Sequence, residues 1–136
     1  MKTKSIADLT PFCRAYLITA LWSSVDDNGD PLDDRFDLSD LSPECLASAV
    51  ADCAAFEADN AETIANAIAT GKVISGPDFG PNDRAGHDFW LTRNGHGCGF
   101  WDGDWPEPYG QMLTDAAHVW GAVDLYVGDD EKVHGG

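Results

Sequence analysis

Basic residues are scarce in this chain: Lys and Arg together number eight, against twenty-four Asp and Glu, leaving a net charge of −16. Binding to a polyphosphate needs cations that displace counterions from the backbone, so naked DNA, RNA and anionic membrane surfaces are excluded as direct partners. Long apolar runs are also missing. The stretch Ala15 to Trp22 follows Arg14, has no small-residue cleavage site after it and is too short to span a bilayer, so no secretory signal or membrane segment is expected and a cytoplasmic location follows. No C-x-x-C pair occurs among Cys13, Cys45, Cys53 and Cys98, and their spacing fits no zinc pattern. If Cys45 and Cys53 share a helix they stand roughly 12 Å apart along its axis and cannot bridge each other. Free thiols acting as small apolar residues are expected, with no metal and no cofactor.

What is present suffices for one folded domain. An apolar fraction of 43% over 136 residues supports a core without a disulfide or metal staple. Thr10-Pro11 reads as a cap and first helical residue, and Cys13, Tyr16, Leu17, Ala20 and Leu21 recur at helical spacing up to Trp22 and Ser23. Ser42-Pro43 opens a second helix whose inward face is Leu46, Ala49, Val50, Cys53 and Phe56, with Asp52, Glu57 and Asp59 outward. A third apolar set, Ile64, Ala67 and Ile68, stops at Gly71, and Asp59-Asn60 leaves open whether it continues the second helix. Tyr109 to Trp120 is a further helix ending at Gly121, and Val123, Leu125 and Val127 alternate as a strand that turns at Gly128 to Asp130.

Between these lies "GHDFWLTRNGHGCGFWDGDW", residues 86 to 105. Asn94-Gly95 is a strong type I′ hairpin signal, because both central residues of that turn need positive φ. It predicts a β-hairpin in which Arg93 faces His96, Leu91 faces Cys98, Phe89 faces Phe100 and His87 faces Asp102, with Trp90 lying over Gly99 on the other side. The expected fold is therefore α+β: N-terminal helices over residues 1–71, then a β-β-α-β unit over residues 72–136 forming a small antiparallel sheet, all within one domain 1–136.

Two chemistries compete for the function. A carboxylate that orients an imidazole is half of a general-base arrangement, which makes His87 with Asp102 or Asp88, and His96 beside them, the candidate catalytic residues. No G-x-S-x-G elbow accompanies them, and Cys98 is expected on the core side. The other chemistry is electrostatic. Asp26, Asp27, Asp30, Asp33, Asp34, Asp37 and Asp40 crowd one segment, Glu44 extends it, and Arg35 is the only base between Ala15 and Gly71. An EF-hand-like reading of Asp26, Asn28 and Asp30 fails because Pro31 stands where the loop requires glycine. A solvated loop, or a surface that imitates the charge density of a nucleic acid and steers a basic protein, remains. Trp22, Trp90, Trp101, Trp105 and Tyr109 would supply interface anchors where exposed, and a homo-oligomer joined through the tryptophan face of the hairpin is a third possibility.

The segments "ALWSS", "DDNGDPLDD", "ADCAAF", "AGHDFWLTRNGHGCGFWD" and "DLYVGDD" together resemble a group of small acidic proteins encoded by bacteriophages, prophages and mobile elements. The similarity runs over most of the chain and is most specific in "GHDFWLTRNGHG". It implies a mobile-element origin and a bacterial host cytoplasm, and no residue role is carried over with it. Small acidic phage proteins often inhibit host nucleic-acid-binding or defence machinery, which makes such a complex the expected partner by analogy. The reading favours a non-enzymatic interaction protein over a small enzyme.

Overall fold

A computed structural model describes residues 9–95, 99–101 and 104–135. Among these residues five α-helices precede a two-stranded antiparallel sheet: α1 (Pro11–Ser23), α2 (Pro43–Asp59), α3 (Ala61–Ala69), α4 (Pro81–Arg93), α5 (Tyr109–His118), β1 (Leu125–Val127) and β2 (Val133–Gly135). The fold is thus mixed α+β and rich in helix. The first two helices start as their sequences dictate. Thr10 Oγ1 and Ser42 Oγ each accept the backbone N–H three residues on, from Cys13 and Cys45 at 3.1 Å, and a proline follows each cap. Asn60 separates α2 from α3. Its backbone leaves the helical region at φ −119°, and its amide side chain donates to the Phe56 carbonyl at 3.0 Å, so the pair is two helices and not one rod.

Residues 81–93 overturn the hairpin expectation, since they form α4. The start is a proline at the first position with Asp83 at the third, whose carboxylate accepts the Gly80 N–H at 2.8 Å. The end is Asn94 followed by Gly95 at φ +74°, whose N–H donates to the Thr92 carbonyl. A glycine with positive φ closes a helix as readily as it makes a hairpin turn, so the same two residues served the other purpose. The helical period then brings Ala85, Phe89, Thr92 and Arg93 to one buried face. The proposed pairing of Phe89 with Phe100 becomes packing between a helix and a following turn, and the β-β-α-β order does not form. The partners His96, Cys98 and Asp102 lie outside the described residues.

Gly86 shows what drives the arrangement. A Cβ at this position would overlap the Phe12 carbonyl oxygen and fall 2.8 Å from its carbon, so α1 and α4 cross in backbone contact there. Around the crossing, Phe56 and Phe89 stack with centroids 4.0 Å apart, and Phe12, Tyr16 and Phe100 pack against them. Gly99 makes room for Thr92 and not for Trp90: its absent Cβ would strike the Thr92 side chain, whose Oγ1 accepts the Phe100 N–H at 3.0 Å. The terminal hairpin runs Leu125 opposite Gly135 and Val127 opposite Val133, and it joins the helices through the Ser42 N–H, which donates to the Val133 carbonyl at 2.8 Å. His134 is part of β2. Its ring stacks on Tyr126 and its Nε2 lies 3.0 Å from Asp130.

Candidate functional site

Successive residues on a helix project about 100° apart, so His87 and Asp88 on α4 can touch, whereas in a strand they would point to opposite faces. They do touch: His87 Nδ1 lies 2.7 Å from Asp88 Oδ1, while the indole N–H of Trp105 donates to Asp88 Oδ2 at 2.8 Å. The Asp88 side chain is wholly buried. Burial pushes its carboxyl above the usual range, opposed by the bonds from His87 and Trp105. His87 stands at the rim, its side chain 17% exposed, with the rings of Trp22 and Phe79 each about 6 Å away. When Asp88 is ionised, Nδ1 carries the shared proton and the imidazole lone pair sits on Nε2, which makes His87 an oriented base of the kind the sequence suggested, with Asp88 as its partner. One turn earlier Arg84 lies over Phe79, donates to the Ile74 carbonyl at 3.0 Å and pairs with Asp104 at 3.4 Å.

A second charged centre was not foreseen. Arg93, expected at the turn end of a hairpin opposite His96, is a buried helical residue. Nε donates to the Gly121 carbonyl at 2.8 Å, Nη2 to the Trp120 carbonyl at 3.2 Å, and Nη1 to Tyr16 Oη and Asp52 Oδ2 at 3.1 and 2.9 Å. Its guanidinium also rests against the faces of Phe89 and Trp120. Asp52 therefore turns toward the α1–α4 crossing and does not simply point outward. The clue in the sequence was the four-residue spacing of Phe89 and Arg93, which becomes meaningful once the segment is read as a helix.

The acidic segment divides into two sets. Asp26 Oδ1 accepts the N–H groups of Asn28 and Asp30, Asp37 caps a single 3-10 turn (Leu38–Asp40) by accepting the Ser39 N–H, and Asp40 accepts the Asp37 N–H. These three carboxylates hold the loop in shape, and the bonds from Ser39 keep the Asp37 carboxyl below its ordinary range. Asp27, Asp30, Asp33, Asp34 and Glu44 are exposed, and among the described residues none takes part in an ion pair. Arg35, the one base in the segment, stacks on Phe36 at 5.0 Å instead of pairing with an aspartate. Buried Leu32 and Leu38 pin the loop from beneath.

Of the tryptophans offered as anchors, Trp22 and Trp101 are exposed, whereas Trp90 and Trp105 are buried. Trp90 donates to Ser23 Oγ at 2.8 Å, so it is removed from any interface, and a tryptophan face for self-association does not arise on α4. Among the described residues no group of three or more His, Cys, Asp and Glu side chains is placed to hold a metal ion, and no helix is long and apolar enough to cross a membrane. The chain matches no protein-family model, no curated protein and no solved structure.

Proposed function

We propose that this chain is an accessory protein of a bacteriophage or mobile element that acts by protein–protein contact in the host cytoplasm, offering its acidic loop to a basic protein that ordinarily binds nucleic acid. The observation that supports this reading is the division of labour within residues 26–44. Asp26, Asp37 and Asp40 stiffen the loop, while among the described residues the exposed carboxylates of Asp27, Asp30, Asp33, Asp34 and Glu44 take part in no ion pair. A preorganised, uncompensated negative surface raises association rates with basic partners and makes the complex salt-sensitive.

Replacing Asp27, Asp30, Asp33 and Asp34 with Asn removes charge without touching the turn-forming carboxylates. Immobilised wild type is expected to capture nucleic-acid-binding proteins from a bacterial lysate at low salt and to release them to high salt or to added duplex DNA, and the variant to capture none. An unchanged set of captured proteins would refute the proposal.

A second reading rests on the His87–Asp88 pair, which is suited to proton abstraction at Nε2. It calls for an activity, found by screening hydrolysable esters and amides, that His87→Gln abolishes and the four-Asn variant retains. No turnover above that of His87→Gln on any substrate would remove it.

A further inference from the structure

A cavity of about 140 Å³ lies between α1, α2, α4 and the terminal hairpin. Protein interiors close to the density of organic crystals and leave few voids larger than a water molecule, whereas an apolar hole of roughly 150 Å³ admits a benzene ring. Three small residues keep this one open. Ala20 and Ala49 line it from α1 and α2, and Gly135 lines it from β2, opposite Leu125. A Cβ at Gly135 would stand 3.4 Å from Cys45 Sγ and Leu125 Cδ2 and 3.5 Å from Val123 Cγ1, three further residues of the lining. Those distances are ordinary contacts, and a strand backbone accepts any side chain, so the fold does not demand glycine there. What glycine preserves is the space.

The lining is mostly hydrocarbon, and Arg93 sets out two of its polar groups. Tyr16 Oη and Asp52 Oδ2 both accept from Nη1, at 3.1 and 2.9 Å, so they stand side by side. Burial holds the Tyr16 hydroxyl above its ordinary range, and it keeps its proton at neutral pH. Among the described residues that O–H donates to no acceptor and Asp52 Oδ1 accepts from no donor. The charge of Asp52 is already answered by Arg93. This end of the cavity thus offers one hydrogen bond of each kind and no surplus charge. We propose that the cavity binds a small uncharged aromatic alcohol, its ring between Ala20, Ala49 and Leu125 and its hydroxyl at Tyr16 and Asp52. A hydroxyl accepts and donates at one atom, so it meets both groups at once. An ammonium would crowd a carboxylate that Arg93 already satisfies, and an acid would face Asp52 as a like charge. A bare ring would cover both polar groups and satisfy neither.

The test titrates phenol into the full chain at neutral pH and follows the methyl resonances of Ala20, Ala49 and Leu125 by NMR. Benzene, benzylamine and benzoate serve as the bare, cationic and anionic rings. Saturable shifts at these methyls are expected with phenol, at an affinity about tenfold above that of each of the other three. Gly135→Val, which places a branched side chain in the opening, is expected to retain the wild-type amide spectrum outside the hairpin and to lose phenol binding. No saturable shift at the cavity methyls, a phenol affinity no higher than that of any other ring, or undiminished phenol binding by a folded Gly135→Val would each overturn the proposal. The comparison of the four rings uses the wild type alone and needs no variant to fold.

Discussion

The crossing of α1 and α4 and the loop at residues 26–44 handle charge in opposite ways. At the crossing, Asp88 and Arg93 are buried and every hydrogen-bonding atom is matched, because an unmatched charge in a low-dielectric interior costs several kcal/mol. In the loop, carboxylates outnumber the turns that employ them, and water tolerates the surplus at little cost. Interior charges therefore report architecture, while the unclaimed exterior ones are available for a partner. Acid titration separates the two. Asp88 has a raised pKa when folded, so the folded state holds its proton more tightly and stability falls as pH rises from about 4 through its folded value. Asp37 has a lowered pKa, so its contribution is present above the ordinary range and is lost as pH falls through the folded value.

The sharpest way to break this contrast is Gly86→Val. Its side chain would collide with the Phe12 carbonyl, with an expected loss of about 3 kcal/mol or more, or failure to fold. A urea midpoint equal to wild type would show that the helices do not meet there. Arg93→Met, which keeps much of the packing but leaves Asp52 and two carbonyls without their donor, is expected to cost about 3 kcal/mol. A loss below about 0.5 kcal/mol would reduce that centre to an ordinary surface pair. Asp88→Asn should flatten the decline in stability as pH rises from about 4, measured as urea midpoints at several pH values; an unchanged slope would place the titration elsewhere. Replacing Asp27, Asp30, Asp33 and Asp34 with Asn should move the thermal midpoint least, with stability unchanged or slightly higher through reduced self-repulsion. A loss above about 1 kcal/mol would mean that these carboxylates carry structure after all.

Much of the fold could be read directly. Thr10-Pro11 and Ser42-Pro43 carry their own start signals, the period of Leu46, Ala49, Cys53 and Phe56 identifies the buried face of α2, and Leu125–Val127 alternates as a strand. The stretch from Pro81 to Arg93 resisted because its local signals are ambiguous. Pro81 with Asp83 announces a helix, but Gly86 weakens it and Asn94-Gly95 announces a hairpin turn, and the choice is made by α1, some seventy residues away in sequence, which requires glycine at the crossing. The error carried into the site. Alternating faces direct His87 away from Asp88 and toward Asp102, whereas a helix sets His87 beside Asp88. Arg93 was displaced in the same way, to the turn end of a hairpin opposite His96 in place of a helix buried against α1.

Arg93 also bears on the order of events as the chain leaves the ribosome. Its guanidinium is satisfied by Tyr16, Asp52, Trp120 and Gly121 together, partners that span most of the sequence. A nascent chain that has emerged only as far as α4 holds the arginine and the first two partners but neither carbonyl, and burying a partly satisfied cation is unfavourable. The Arg93 site is thus incomplete until Trp120 and Gly121 have been released. A chain truncated before Trp120 is expected to leave Arg93 without two of its acceptors, and so to be less stable than the full chain.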